Sequence, residues 1–198
     1  MGSMRHDRAT MDALMAALVL GAICQIGDKT PWLAAILSDR FRAPTVVIGA
    51  SVLALALNYA LGVAGGLLIA PLTTPEARLA LLALALVFAG VTTAIGTKSP
   101  DRLEGWRLGP FGTSAAGLAI MVFGDRMQFI VVALATRSEL PWLAAVGATI
   151  GASAVTIPAV LIGERQWLAL PQRALRIATA IFLTATGIYL GLMAVRLI

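Results

Sequence analysis

Two short stretches decide the fold of this chain: QIGDKT at residues 25–30 and VFGDRMQ at residues 122–128. Each combines a glycine, an aspartate and a basic residue, and each lies inside a long apolar run. The aspartates, Asp28 and Asp125, are 97 positions apart, and similar residues recur around them at the same separation. This correspondence indicates an internal duplication. The further pairs are Trp32 and Phe129, Leu37 and Leu134, Arg40 and Arg137, Pro44 and Pro141, and Gly90 and Gly187.

The composition indicates a membrane protein. Of the 198 residues, 59% are hydrophobic and only 13% are charged, and the mean hydropathy is +0.89. A soluble domain of this length cannot bury so much apolar surface, whereas a helix of about 20 apolar residues crosses a bilayer. The length of the apolar runs and their lack of a period-two pattern favour helices over barrel strands. Six such runs are present, at about residues 11–37, 44–70, 77–97, 111–136, 141–162 and 173–195.

The predicted fold is therefore an all-α integral membrane protein with six transmembrane helices in two three-helix repeats. We expect residues 11–97 to form the first repeat, 98–110 a connecting loop and 111–198 the second repeat. Residues 1–10 are expected to be a polar N-terminal tail, in which residues 1–3 have the composition of residues added ahead of a native start. Three crossings per repeat would invert one repeat relative to the other. Inverted repeats are typical of secondary transporters, whose sites lie near the bilayer midplane where the repeats meet.

The positive charge is distributed in a way that predicts membrane orientation. The net charge is +5 and the isoelectric point about 10.3, but the basic residues lie between apolar runs, which argues against nucleic-acid binding. Five Lys or Arg residues lie on the side of both termini and eight on the other side. This excess predicts cytoplasmic first, third and fifth loops, with both termini outside the cytoplasm, in a bacterial inner membrane. The eight are Arg40, Arg42, Lys98, Arg102, Arg107, Arg165, Arg173 and Arg176.

The two motif aspartates are predicted to lie deep in the membrane. Asp28 and Asp125 each precede the polar end of their run by a distance of about 16–18 Å, close to halfway through a bilayer. A charge at that depth costs at least ~2.5–3.5 kcal/mol, so an acid there is a candidate for a functional site. The structural alternative is neutralisation by the basic motif residues, Lys29 and Arg126. Adjacent helical residues point about 100° apart, so a pair across the repeats, such as Asp28 with Arg126, is sterically easier.

Polar neighbours at helical spacing favour a binding site for a cation. Gln25 precedes Asp28 by three residues, Gln128 follows Asp125 by three, and Thr30 adds a hydroxyl group. Carboxylate, amide and carbonyl oxygens are ligands that suit a hard cation. The predicted ion-binding residues are Asp28, Asp125, Gln25, Gln128, Thr30 and Gly27, with Lys29 and Arg126 as charge partners and Asp28 and Asp125 as metal ligands.

Other residues near the motifs allow more than one interpretation. Gly27 lets helices approach closely, and Pro31 cannot donate a hydrogen bond to the Gly27 carbonyl, which would leave that oxygen available. Asn58 adds either an oxygen ligand or a hydrogen bond between packed helices. Cys24, the single cysteine, excludes a disulfide framework and is expected in the packed core. The hydroxyl residues expected to serve packing are Thr92, Thr93, Thr149, Ser153 and Thr156.

The two motifs resemble the paired signature of the Gdt-type cation transporters, the transmembrane protein 165 family. That signature reads Glu, apolar, Gly, Asp, Lys or Arg, Ser or Thr, and often then Gln. The resemblance covers both halves, from about residue 11 to the C-terminus. It implies six helices in two inverted triplets, within the lysine-exporter superfamily. It also implies exchange of Mn²⁺ or Ca²⁺, against protons, through acids contributed by both motifs.

The chain departs from this signature at both of its leading acids. Gln25 and Val122 stand where the family has Glu, Met127 replaces the second hydroxyl residue, and Pro31 stands where Gln is common. Two acids therefore remain in place of four, and the two basic motif residues bring the formal charge of the site to zero. Because a buried divalent ion needs compensating charge, we expect weaker Mn²⁺ or Ca²⁺ affinity than in a relative that has both Glu residues.

These observations predict a secondary transporter of a cation that works by alternating access. An enzyme is not expected, because no Ser-His pair or metal-binding triad lies at helical spacing, and no bound cofactor is expected beyond the transported ion, Mn²⁺ or Ca²⁺. One alternative is a relative with a changed substrate, either a monovalent cation or a small charged solute. Another is a transport-inactive membrane partner protein. The expected partners are the lipid bilayer and the ion, with a homodimer left open and nucleic acid excluded.

Overall fold

The regular structure of the protein is helical throughout the part described. The computed structural model describes residues 2–95 and 98–196, with side chains from residue 12 onward. A short 3₁₀ turn, Ala70–Leu72, follows the third helix. The helices are α1 (Gly2–Gln25), α2 (Lys29–Phe41), α3 (Pro44–Ile69), α4 (Pro75–Ile95), α5 (Gly109–Val122), α6 (Arg126–Ala135), α7 (Trp142–Ala169) and α8 (Gln172–Ala194).

The lengths and apolar character of these helices confirm the predicted all-α membrane fold. The helices α3, α4, α7 and α8 are each long and apolar enough to cross a membrane. The pairs α1–α2 and α5–α6 bend by 65° and 68° at short breaks, and the number of spans reaches six when each pair is taken as one span. Large apolar side chains such as Leu84, Ile181 and Leu68 are exposed on the outer surface, as expected where lipid rather than water surrounds a protein.

The prediction that residues 11–37 and 111–136 form continuous helices is wrong, because both runs are interrupted at the motifs. Gly27 and Gly124 each have a φ angle of +73°, in the left-handed region that ends helices and that glycine adopts without steric cost. A new helix begins directly after the following aspartate in each motif. The apolar character of the flanking residues continues through the break, which is why hydropathy alone did not reveal it.

Residues 2–10, within the predicted N-terminal tail, have helical backbone continuous with α1. One boundary differs from the sequence prediction. The fifth run extends past residue 162 to Ala169 through a kink at Gly163, where φ is 77° and ψ 170°. The Asp39 carboxylate at the end of α2 accepts a hydrogen bond from the Glu164 backbone N–H at 2.8 Å. This contact caps the segment after the kink and joins α7 to α2.

The connecting loop between the repeats is fastened to α2. The Arg40 guanidinium donates hydrogen bonds to the carbonyl oxygens of Leu103 at 2.6 Å and Arg102 at 3.2 Å, and longer ones to Glu104 and Trp106. Arg102 also pairs with Glu164 on α7 at 2.7 Å. The loop that was predicted from its polar composition therefore lies against both repeats.

The two halves interlock rather than forming separate bundles. Helix α1 packs against α7, and its counterpart α5 packs against α3; likewise α2 packs against α7 and α6 against α3. The equivalent helices α4 and α8 pack against each other. This exchange of partners is the pattern that the predicted two-fold relation between the repeats would produce. The opposite membrane orientation of the repeats stays a prediction from the odd number of spans in each half.

Small residues allow α1 and α7 to approach closely. A Cβ atom built on Gly151 would overlap the Leu18 carbonyl oxygen, and one built on Gly147 would overlap that of Leu14. A Cβ atom built on Gly21 of α1 would likewise lie only 2.8 Å from the Ala148 carbonyl oxygen. Glycines at successive turns are a common means of close helix packing in membranes.

We expect Gly151→Ala to destabilise the protein by about 1–3 kcal/mol, because the added methyl group must push α1 and α7 apart. The measurement is the thermal unfolding midpoint of the purified protein in detergent. Gly49→Ala is the matched control, since a Cβ there meets nothing within 4 Å and alanine favours helix. Equal midpoints for the two variants would contradict the close packing.

Candidate functional site

Both motif aspartates lie at the start of a helix that follows a break. Asp28 is the N-cap of α2 and Asp125 the N-cap of α6, both with extended backbone. The Asp28 carboxylate accepts hydrogen bonds from the Thr30 N–H at 3.3 Å and the Thr30 hydroxyl at 3.0 Å. The Asp125 carboxylate accepts a longer one, 3.5 Å, from the Met127 N–H. Each carboxylate is therefore stabilised by the free amide groups and positive dipole of a helix start.

The first break also frees a backbone carbonyl group. The Asp28 N–H donates to the Gln25 carbonyl at 3.2 Å, so the Cys24 carbonyl loses the amide partner that a continuous helix would supply. It accepts instead from Arg126 Nη2 at 2.8 Å. The second break has the same pattern, with the Asp125 N–H bonded to the Val122 carbonyl at 3.0 Å.

An ion pair joins the two motifs across the repeats. Arg126 Nη2 lies 2.7 Å from Asp28 Oδ1, and the two side chains are only 5% and 10% exposed. Arg126 Nη1 donates to the Thr93 hydroxyl on α4 at 2.9 Å. The cross-repeat pairing favoured on steric grounds is thus present, although it arises between two helix starts and not between continuous helices.

The two breaks border one cavity of about 300 Å³. Asp28 and Asp125 both line it, together with the basic residues Lys29 and Arg126, so the formal charge of these four groups is zero. Within the described residues, no group of three or more His, Cys, Asp or Glu side chains is placed to hold a metal ion. The remaining lining residues are Phe88, Thr92, Met121, Phe123 and Gly124.

The site is not symmetric, although its two motifs correspond. Lys29 occupies the position equivalent to Arg126, and it is partly buried at the cavity. In the part of the chain that the structure describes, salt bridges link Asp28 to Arg126 but none joins Lys29 to Asp125. One carboxylate is therefore closed by an arginine and the other is open to the cavity.

Gln25 and Gln128 lie beside the breaks and not on the cavity lining. Gln25 is fully buried, its Nε2 donates to the Tyr59 hydroxyl at 3.3 Å, and its Oε1 has no hydrogen-bond partner. Gln25 and Asp28 do not share a helix face as predicted, because α1 ends at Gln25. Gln128 Oε1 accepts from the Gly124 N–H at 2.6 Å and its Nε2 donates to the Asn58 carbonyl at 3.1 Å.

The other predicted residues support the first break. The hydroxyl and amide of Thr30 are both committed to Asp28. Gly27 supplies the left-handed turn, and the proposed freeing of its carbonyl by Pro31 is not needed, because Gly27 lies outside a helix. Asn58 Nδ2 donates to the Ala54 carbonyl on its own helix and to the Ala119 carbonyl on α5, at 2.9 and 3.2 Å. The sequence allowed Asn58 to be either an oxygen ligand or a hydrogen-bonding residue between packed helices. The bond to Ala119 corresponds to the second role.

Sequence reasoning missed two residues at this site. Thr93 was assigned to packing, but its hydroxyl accepts from Arg126 while donating to the Ala89 carbonyl. Arg176 was counted with the loop residues, but it lies in α8. Its side chain packs against Gly27: a Cβ atom built on Gly27 would lie 3.2 Å from the Arg176 Cβ. Its buried Nε has no hydrogen-bond partner. The Gly-Asp pairs were an available signal for the breaks, since glycine ends helices and aspartate begins them.

Comparison with known proteins identifies the family. Residues 13–101 and, separately, residues 110–196 match the family described as divalent cation/proton antiporter GDT1. The chain belongs to this family. The two matches begin 97 residues apart, the same separation as the two motif aspartates. The protein is thus a multi-pass membrane protein of a cation-transporting family.

A curated relative points the same way. The chain is 31% identical over 176 residues, 86% of each sequence, to a putative manganese exporter of Vibrio cholerae serotype O1 (strain ATCC 39541 / Classical Ogawa 395 / O395). No solved structure matches the chain. The family resemblance first drawn from the two motifs is therefore confirmed, and the protein is a transporter family member rather than a member of an enzyme family.

Proposed function

We propose that the protein exchanges Mn²⁺ for protons by alternating access, with the cavity between the two helix breaks as the ion site. The observation that carries this proposal is that Asp28 and Asp125, one from each repeat, line the same cavity. A site shared between repeats can open to either side as the repeats move against each other. The family match and the similarity to a putative manganese exporter support a divalent cation as substrate.

Asp125 is the proposed primary ligand and proton carrier. Its carboxylate borders the cavity, and no salt bridge occupies it among the described residues. Mn²⁺ prefers oxygen ligands in octahedral geometry, which carboxylate oxygens, the Thr92 hydroxyl and water can supply. Because Asp28 is engaged by Arg126, we propose that divalent affinity is weak, and that Ca²⁺ is a second substrate.

The proposed membrane is the bacterial inner membrane, with both termini outside the cytoplasm. The unequal distribution of Lys and Arg along the sequence, eight residues against five, supports this orientation. A C-terminal alkaline phosphatase fusion, which is active only outside the cytoplasm, should be active, and a C-terminal green fluorescent protein fusion should be dark. The opposite pattern would reverse the proposed orientation.

A changed substrate is the second candidate, and the zero formal charge of the cavity favours it. A monovalent cation, or a zwitterionic or anionic solute held by Lys29, needs less compensating negative charge than Mn²⁺. This alternative predicts flux of such a solute in the absence of divalent-cation flux.

The test is ion flux in proteoliposomes that contain the purified protein and an internal pH dye. We expect an outward proton gradient to drive Mn²⁺ uptake and, more weakly, Ca²⁺ uptake, with internal alkalinisation in both cases. Protein-free liposomes and parallel assays with Na⁺ and K⁺ are the controls. Flux confined to Na⁺ or K⁺ would favour the changed-substrate alternative, and absence of flux for every ion would favour a transport-inactive partner protein.

A further inference from the structure

The Arg126 guanidinium is held by three oxygen atoms from three different helices. Asp28 Oδ1 at the start of α2 lies 2.7 Å from Nη2, and the Cys24 carbonyl near the end of α1 lies 2.8 Å from the same nitrogen. The Thr93 hydroxyl on α4 lies 2.9 Å from Nη1. A carboxylate, a carbonyl and a hydroxyl are also the groups that bind hard metal cations. The guanidinium thus occupies a set of oxygens suited to a cation.

Both carboxylate oxygens of Asp28 are engaged while Arg126 is in place. Its Oδ2 accepts two hydrogen bonds from Thr30, and its Oδ1 carries the ion pair. A divalent ion that binds Asp28 would lie beside the Arg126 guanidinium, and repulsion between the two positive charges favours separation of Arg126 from Asp28. The Arg126 Nε is buried without a hydrogen-bond partner, so the guanidinium is incompletely satisfied and less costly to move than one with every donor paired.

The first repeat offers a comparison at the equivalent position. Lys29 lines the same cavity but makes no salt bridge among the described residues. The corresponding carboxylate, Asp125, is accordingly open. The difference between the two repeats is therefore that one acid is occupied by a basic side chain of the opposite repeat while the other is not.

We propose that Arg126 is a resident cation that competes with the transported ion for Asp28. Ion binding displaces the guanidinium, and the guanidinium returns to Asp28 when the ion leaves. This inference rests on the proposed transport of a divalent cation through the cavity. Arg126 would then have two effects. It lowers the affinity for the divalent ion, and it neutralises Asp28 in the empty transporter. The empty transporter can therefore switch the cavity from one side of the membrane to the other without an uncompensated buried charge.

The experiment separates net transport from exchange in Arg126→Gln. Net transport requires the empty transporter to return, whereas exchange of Mn²⁺ for radioactive Mn²⁺ requires only the loaded form. We expect Mn²⁺ to bind Arg126→Gln about tenfold more tightly than wild type, since a like charge is removed from the site. We also expect net Mn²⁺ flux to fall to background while the exchange rate stays within about threefold of wild type.

Two matched variants control for charge and for folding. Arg78→Gln removes the same charge from a residue whose guanidinium bonds the Ala70 carbonyl, away from the cavity, and should leave Mn²⁺ affinity unchanged. Lys29→Gln removes a charge at the cavity without breaking an ion pair, so it should raise affinity without separating net flux from exchange. If Arg126→Gln does not fold, Arg126→Lys decides, because its shorter side chain should hold Asp28 less well and give Mn²⁺ affinity above wild type.

Two results overturn the proposal while leaving the proposed function intact. One is wild-type Mn²⁺ transport together with unchanged or weaker Mn²⁺ binding in a folded Arg126→Gln or Arg126→Lys variant. The other is equal loss of net flux and exchange in Arg126→Gln. A wild-type protein that neither binds nor transports Mn²⁺ instead overturns the proposed function and, with it, this inference.

Discussion

Asp28→Asn should unfold at a clearly lower temperature than wild type, although the substitution changes a single atom of the side chain. The Arg126 guanidinium is buried against Asp28 at 2.7 Å, and removal of one partner leaves an uncompensated buried charge. Breaking a buried pair in this way costs about 3–5 kcal/mol. Asparagine is as good an N-cap as aspartate, so the start of α2 is preserved and the loss reports on the charge.

The double variant Asp28→Asn with Arg126→Gln provides the control for this first result. It removes both charges, so we expect it to recover most of the stability lost in Asp28→Asn, a coupling that a double-mutant cycle measures. The measurement is the unfolding midpoint of each protein in the same detergent. If the single and double variants unfold at the same temperature, the ion pair does not contribute to stability in the way we describe.

Asp125→Asn should show the opposite behaviour, with normal stability and no transport. Asp125 lines the cavity, and the structure shows no salt bridge to it among the described residues, so its replacement breaks no salt bridge. Asparagine is as good an N-cap as aspartate, so we expect a stability change below about 1 kcal/mol. Mn²⁺ flux should fall to the level of protein-free liposomes, because the cavity loses the one carboxylate that is open to an ion and to a proton.

Asp101→Asn is the matched control for Asp125→Asn. Asp101 lies in the connecting loop, where its carboxylate accepts a hydrogen bond from the Leu103 N–H at 3.0 Å. Its replacement removes the same charge outside the cavity and should leave Mn²⁺ flux near wild type. Flux that survives in Asp125→Asn at the level seen in Asp101→Asn would show that Asp125 is not at the ion site.

The sequence was sufficient for the fold class and for the location of the central charges. The apolar runs predicted the spans of α3, α4, α7 and α8 to within a few residues, except for the extension of α7 past Gly163. The separation of 97 positions identifies Asp28 and Asp125 as equivalent from the sequence alone. Hydropathy and motif spacing carry this information because lipid constrains every span in the same way.

The geometry of the site could not be predicted from the same patterns. A break of three residues hardly changes the mean hydropathy of a run, so Gly27 was treated as a site of close packing and not as a helix end. Once the helix is broken, residue spacing no longer gives the direction of a side chain, which is why Gln25 lies against Tyr59 and not beside Asp28. The role of Thr93 depends on how α4 packs against α6, which no local pattern reports.

The central claim is that the two helix breaks form one cation site, and the position of a bound ion tests it most directly. Crystals grown with Mn²⁺ would give an anomalous scattering peak at the metal. We expect one peak in the cavity between the breaks, within coordination distance of the Asp125 carboxylate. A peak elsewhere in the protein, or none at Mn²⁺ concentrations that saturate transport, would contradict the account.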